Sequence, residues 1–484
     1  MTLLKADTDV YPIYTARNPR KNQYYRCVEA HFEELERIWE ERYQRTYGFW
    51  RQYVTDVIYK YLDCGDLHVG FARVKCNECN HEYLLPFSCK RRHFCPTCHQ
   101  KRVLEFGEFL NNEVLKEVPH RQWVFSLPKR LRVYFLFDRK LLVKLSQCAW
   151  KVLSRYLEQS VSSGNPIPAA VIAVQTFGDL LNFNPHLHII APDGCFDAEG
   201  NFMQGAAPQA SELEGLFRAE VLKMLKREKK INDAVIENMD SWHHSGFHVY
   251  CGNSIMCDDQ EGMERLAQYI IRAPISQERM QYISVSESIA RLAQVIYTGK
   301  KDKNQERFDA LDWLARLVTH IPNKGEQLVR YYGYYSNRTR GICKKAALKL
   351  QKDESFGLED SETSIQPSTI SRNSFRKKWA SLIQKVYHID PLLCPKCNGK
   401  MRIISFIDDK PTIRKILIHL NLWMTGNHDP PEPSRSAPLD YPTLKTEDLY
   451  ENPFKTTIEN TTLQIPYEDE FSQESLYAFE YDYS

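Results

Sequence analysis

"AAVIAVQTFGDLLNFNPHLHIIAP", residues 169–192, decides how this chain folds. Two apolar runs, 169–177 and 186–192, flank a connection of eight residues, short enough to make the strands antiparallel neighbours. Successive side chains on a strand point to opposite faces, so His186 and His188 project one way while Leu187 and Ile189 enter the opposite layer. Two imidazoles this close do not both stay protonated. Either they are neutral core histidines satisfied by backbone carbonyls, or they share something positive; a pair on one strand face points to a divalent metal.

Further strands are expected at 121–127 ("RQWVFSL") and 246–251 ("GFHVYC"), with helical periodicity over 25–62, 138–160 and 261–276. In the last stretch Met263, Leu266, Ala267 and Ile270 fall at i, i+3, i+4 and i+7, which buries one face, and Pro274 is expected to end the helix. Tyr269 lies about 60° from Leu266, at the edge of that buried stripe. At 484 residues the chain exceeds what one core supports. The expected class is α+β, with an antiparallel sheet flanked by helices, after a zinc ribbon and before a small cysteine-pair module, as the family resemblance described below implies. The expected divisions are an N-terminal helical region (1–62), the ribbon (63–105), a central sheet-bearing region (115–345), a Ser-rich linker (346–374), a C-terminal CPxC module (375–425) and an acidic tail (426–484).

The ribbon rests on "CNEC…CPTC". Cys76 and Cys79 precede Cys95 and Cys98 by fifteen intervening residues, two thiolate pairs at the spacing of a tetrahedral structural Zn²⁺ site. Cys64, His68, Cys89, His93 and His99 lie nearby and could complete a second site or alter the ligand set. "CPKC" (Cys394, Cys397) is half of another zinc site, with His388 and Cys343 as conceivable partners. No run approaches the roughly 18 apolar residues of a membrane span, and the first 21 residues lack a signal peptide's apolar core. A cytoplasmic protein is expected, and in a reducing compartment cysteines serve as ligands rather than bridges.

Charge is unevenly distributed. Residues 440–484 carry eleven Asp or Glu and two Lys, a net −9, which leaves +11 on the rest of a chain whose total is +2. A basic body suits a polyanion. Arg91 and Arg92 flank the ribbon, and "RYYGYYSNRTRGICKK" (330–345) interleaves four tyrosines with Arg338, Arg340, Lys344 and Lys345. Aromatic platforms beside cations suit single-stranded nucleic acid.

Taken together, "CGDLHVGFARVKCNECNHE", "SCKRRHFCPTC", "QTFGDLLNFNPHLHIIAPDGCF", "LAQYIIRAPIS", "LARLVTHIPNKGEQLVRYYGYYSNRTRG" and "DPLLCPKCNGKMRI" resemble, in order over roughly residues 60–410, the zinc-ribbon transposases of rolling-circle insertion sequences. These belong to the HUH single-strand endonucleases, U being a hydrophobic residue. The resemblance implies an HUH-type sheet in which His186 and His188 bind Mg²⁺ or Mn²⁺ with a third polar ligand. Gln175 is the expected third ligand, with Asp179 and Asn184 as rivals and Asp193 orienting a histidine. Tyr269 would attack a phosphate of single-stranded DNA at insertion-sequence ends and become linked to it. The family's first tyrosine position, four residues earlier, is Arg265 here, which resembles the single-tyrosine branch; Tyr332 and Tyr335 are weaker candidates. A plasmid-type replication initiator or relaxase would share this active site, and a zinc-dependent DNA-binding regulator would keep the motifs without cutting.

Overall fold

The computed structural model of the chain describes residues 21–91, 93–162, 164–288, 291–299, 305–355 and 393–423, with backbone alone for 347–355. His388, Arg92, the acidic tail and most of the expected linker lie outside the described residues.

At its centre is a five-stranded antiparallel sheet: β1 (His120–Ser126), β2 (Ala169–Phe177), β3 (Phe183–Pro192), β4 (His248–Ile255) and β5 (Val329–Gly333), in the order β5-β2-β3-β1-β4. The quoted stretch supplies its middle. All nine residues of β2 are buried, as expected of a strand covered on both faces, and its first six are all apolar, with the polar Gln175 and Thr176 following. On one face Ile172, Val174, Leu187, Ile189, Trp123 and Phe125 pack against the helices Leu141–Gln159 and Ala210–Arg227. In the first of these helices the buried Leu141, Leu145, Ala149, Val152 and Leu153 repeat at helical spacing.

The opposite face carries Val171, Ala173 and Ile190, covered by Leu266 and Ala267 of the helix Gln260–Tyr269, by Ile270 just past its end, and by Phe106 and Leu110. Register sets Gln175 and Ser126 opposite His186, and Ala173 and Val124 opposite His188. Cross-strand partners share a face, so these residues and Gln122 surround the imidazoles on the side where the helix Gln260–Tyr269 sits.

The helix expected to reach Pro274 ends at Tyr269. Gln175 Nε2 donates to the carbonyls of Tyr269 and Ile270 (3.2 and 3.0 Å), and the Arg272 backbone N–H also donates to Tyr269 O. With its last carbonyls satisfied from outside, the helix has no need of another turn. Leu266 and Ile270 fix it to the sheet, each worth about 2 kcal/mol of apolar burial.

Outside the central sheet, the helices Gln23–Arg42 and Gln52–Leu62 pack with the helix Ala310–Val318 and a three-stranded sheet of Met280–Ile283, Gln294–Thr298 and Gln305–Asp309. A second three-stranded sheet joins distant parts of the chain. Phe71–Cys76 pairs with Glu82–Pro86 on one side and with Met401–Ile407 on the other. Segments expected as separate modules, 63–105 and 375–425, therefore share one sheet. Among the described residues no helix is long and apolar enough to cross a membrane.

Candidate functional site: a histidine pair facing a tyrosine, with two cysteine clusters

His186 and His188 are both buried, their rings 4.9 Å apart. The Tyr269 ring meets His188 edge-on with centroids 5.1 Å apart, so residues 81 positions apart in sequence come into direct contact. Burial lowers the His186 pKa to about 4, countered by its bond to the Asn184 carbonyl and reinforced by Arg272 and Arg132. Burial, then His186 and Arg272, push His188 well below the usual range. Both rings are neutral at physiological pH, the form that ligates metals. His186 Nδ1 donates to Asn184 O (2.7 Å), which makes Nε2 the lone-pair end. Gln122 Nε2 lies 2.9 Å from His188 Nδ1.

Three buried polar atoms on this face, His188 Nε2, Asn184 Oδ1 and Ser126 Oγ, have no hydrogen-bond partner among the described residues. Orphaned atoms of this kind are costly unless something fills the gap. Two neutral imidazoles with a carboxamide oxygen form a donor set for a divalent cation, and their chemistry alone does not select which one.

Gln175, expected as the third ligand, is engaged elsewhere: besides gripping the tyrosine turn, its Oε1 accepts from Arg272 Nε at 3.3 Å. Asp179 pairs with Arg279 at 2.7 Å. Asp193 accepts from Arg121 and Ser254 rather than orienting a histidine. Tyr332 stacks on Trp150, and the buried Tyr335 bonds His120 through its hydroxyl at 2.8 Å. Arg272 is the residue that sequence reasoning passed over. Its guanidinium lies 4.9 Å from the Tyr269 ring centroid and 5.6 Å from that of Phe177. The signal available for it was a cation one turn beyond the candidate nucleophile. Arg272, Arg102, Arg330 and Tyr331 line a cavity of about 620 Å³ that also reaches Gln175.

The cysteines form two clusters: Cys64, Cys89, Cys95 and Cys98, and Cys76, Cys79, Cys394 and Cys397, with the four sulfurs of each within 4.8 Å of one another. The expected set of Cys76, Cys79, Cys95 and Cys98 is thus divided, and Cys394 and Cys397 supply the missing half of the ribbon site. The reason is topological. Cys76 and Cys79 sit at the turn of the Phe71–Pro86 hairpin, whose free edge is taken by Met401–Ile407. Cys95 caps the helix Pro96–Phe109, and with Cys64 it packs among the N-terminal helices.

The Cys64–Cys95, Cys64–Cys98 and Cys89–Cys98 sulfurs are 3.6–3.8 Å apart, and the Cys76–Cys397 and Cys79–Cys394 sulfurs 3.4–3.5 Å. Tetrahedral ligands about 2.3 Å from Zn²⁺ have edges of about 3.8 Å, whereas a disulfide would need about 2.05 Å. Backbone N–H groups of Glu78, Cys89 and Arg91 donate to the sulfurs of Cys76, Cys64 and Cys89. His68 bonds Asp66, and Cys343 is exposed on the helix Asn337–Ser355; neither joins a cluster.

Of the basic residues expected to touch DNA, Arg338 and Lys345 are exposed. Lys344 pairs with Glu113, and Arg340 lies over Tyr331 and Phe109. Arg91 is half-buried beside the first cluster.

Acid stability follows from the buried rings. His120 and His320 share the lowered pKa of His186 and His188, to about 4 and about 3, again chiefly by burial. The unfolded chain binds protons on these histidines below about pH 6.5, where the folded chain does not, so stability is full above that pH and falls toward pH 4. Each ring contributes up to about 1.4 kcal/mol per pH unit. The thermal midpoint, without added Mg²⁺ or Mn²⁺, is expected to drop steadily from pH 6.5 to 4.5; a constant midpoint would contradict neutral burial.

Comparison with known proteins adds an independent line. Residues 34–127 match the IS91-type "Transposase zinc-binding domain" family, and residues 169–342 match the Y2 family described as "Putative transposase". The histidine pair and Tyr269 fall inside the second match, the first cysteine cluster inside the first, and Cys394 and Cys397 outside both. The chain is 22% identical over 377 residues to the "Transposase for insertion sequence element IS801" of Pseudomonas savastanoi pv. phaseolicola, covering 73% of this chain and 84% of that protein. It is 21% identical over 287 residues to "Putative transposase y4qJ" of Sinorhizobium fredii (strain NBRC 101917 / NGR234), covering 55% and 70%. No solved structure matches it significantly.

Proposed function

This chain belongs to the IS91/IS801-type transposases with a zinc-binding domain, and from that premise we propose that it nicks and rejoins single-stranded DNA at insertion-sequence ends through a 5′-phosphotyrosine at Tyr269. The observation that carries the reading is the edge contact of Tyr269 with His188 beside three unpartnered buried polar atoms. The Tyr269 hydroxyl oxygen forms the new bond to phosphorus as the bond from phosphorus to the 3′ oxygen breaks. The departing oxygen takes the electron pair and a proton to become a 3′ hydroxyl, and the phenolic proton goes to solvent. Because one ester replaces another, the same hydroxyl reverses the step on a second end with no external energy source.

His186, His188 and Asn184 would hold Mg²⁺ or Mn²⁺, with Asn184 in place of Gln175. When bound, that ion offsets charge on the nonbridging phosphate oxygens. The other roles belong to the protein. Gln122 orients the His188 ring; turned by half a rotation, its amide accepts the Nδ1 proton and leaves Nε2 for the ion. Arg272, locked by Gln175, places positive charge over the Tyr269 ring, where it steers phosphate. Arg265 occupies the position four residues ahead, so one tyrosine per chain carries the chemistry. Structural zinc would occupy the two cysteine clusters, while Arg338 and Lys345 would meet the DNA backbone.

The test incubates the full chain with Mn²⁺ and end-labelled single strands bearing the element's own termini, and looks for a denaturant-resistant adduct. His186→Ala is expected to reduce adduct formation at least about 10²-fold, the scale of losing a metal ligand or its support. Asn184→Ala should raise the Mn²⁺ concentration needed for half-maximal rate. An Asn184→Ala chain with an unchanged Mn²⁺ requirement removes that residue from the ligand set.

A further inference from the structure

We propose that His99 is a positioning residue that ties the Cys64/Cys89/Cys95/Cys98 cluster to the turn behind Tyr269, so that filling the cluster with zinc holds the nucleophile in register. The inference rests on the reading of Tyr269 as nucleophile, although its structural half can be measured without catalysis.

His99 follows Cys98 on the first turn of the helix Pro96–Phe109 and is buried. Its Nδ1 accepts the backbone N–H of His93 at 3.1 Å, so the ring proton sits on Nε2. That Nε2–H donates to the carbonyl of Ile271 at 2.7 Å, 172 residues away in sequence. With both ring nitrogens committed, His99 is poorly placed to serve as a ligand despite its neighbour. Ile271 lies between Tyr269, whose carbonyl Gln175 grips, and Arg272, which covers the Tyr269 ring. The bond therefore lands on the short turn that sets the direction of both side chains.

The same helix makes a second connection. A Cβ placed on Gly107 would lie 3.3 Å from Gln268 Cγ, the residue before the tyrosine. Phe106 joins the buried cluster of Leu266, Ala267 and Ile270. One rigid helix thus has its N-terminus at the cysteine cluster and its flank against the tyrosine helix. Zinc at the cluster fixes the register of Cys95 and Cys98, hence of His99, hence of the Ile271 carbonyl. The glycine, the histidine and the tyrosine turn share no ligand; the coupling passes through one polar bond and one packed face.

The test compares wild type, His99→Phe and His99→Gln as full chains. Phenylalanine keeps the ring volume without the donor, and glutamine restores an N–H. Hydrogen–deuterium exchange over residues 266–273 is the primary readout, with zinc bound and after chelation. Expected are faster exchange on chelating the wild type, equally fast exchange in zinc-loaded His99→Phe, and recovery toward wild type in His99→Gln. Adduct formation by His99→Phe should slow about tenfold, the scale of one hydrogen bond to a buried carbonyl, with the affinity for single strands and the zinc content unchanged.

Wild-type exchange over 266–273 in zinc-loaded His99→Phe overturns the proposal. So does loss of zinc and strand affinity together in both variants, which would make His99 a general packing residue. A wild type that shows the exchange pattern but forms no adduct at Tyr269 removes the nucleophile assignment and leaves the coupling standing.

Discussion

Tyr269→Phe is expected to abolish the covalent adduct with single-stranded DNA, a fall of at least about 10⁴-fold on the scale of losing an enzymatic nucleophile, while strand affinity stays within about twofold of wild type. The separation of the two effects is the point. Phenylalanine retains the edge contact with His188 and the face that Arg272 covers, so the pocket keeps its shape and charge and loses one oxygen. The two weaker candidates are committed elsewhere: Tyr335 is buried with its hydroxyl on His120, and Tyr332 is stacked against Trp150. Mass spectrometry of the trapped adduct reads the result directly. A Tyr269→Phe chain that still captures DNA at wild-type rate would falsify the assignment of Tyr269.

The second large effect concerns metal content. Purified protein should carry two zinc ions per chain, and paired substitutions should reveal which cysteines act together. Cys79→Ser with Cys394→Ser is expected to cost one zinc, because both belong to the hairpin cluster. Cys79→Ser with Cys95→Ser should cost two. A ribbon built from Cys76, Cys79, Cys95 and Cys98 would give the opposite pattern. Structural zinc contributes on the order of 10 kcal/mol to small domains, so Cys394→Ser alone should also expose the Phe71–Pro86 hairpin to protease. Two zinc ions surviving in the Cys79/Cys394 double variant would rule out the long-range ligand set.

What the sequence made legible was what local periodicity encodes. The two antiparallel strands, the histidines on one face and the buried Leu266, Ala267 and Ile270 all follow from side-chain spacing and are present. The second strand nevertheless starts at Phe183, which shortens the expected eight-residue connection to five, and Met263 of the expected stripe is only half-buried. The end of the tyrosine helix was not legible, because Gln175, ninety-four residues away, satisfies its last carbonyl. Nor was the zinc partition. Adjacent CxxC pairs suggest a shared ion, and only the pairing of Phe71–Cys76 with Met401–Ile407 assigns them otherwise. Arg272 escaped for a similar reason: a cation over a ring depends on a turn that spacing does not describe. Local signals identified the chemistry, and long-range contacts decided its partners.

The hairpin cluster has a consequence for how the chain is born. Cys79 and Cys394 are 315 residues apart, and Cys76 and Cys397 are 321 apart. During translation the first two thiolates leave the ribosome long before the others exist, and nothing downstream of them can close the site until residue 397 has emerged. A nascent chain released early, or clipped between the helix that starts at Asn337 and the strand that starts at Met401, has every group of the tyrosine pocket and yet an open ribbon. A metal held there would register that synthesis has run past residues 115–345, joining segments from either side of that region in one coordination sphere.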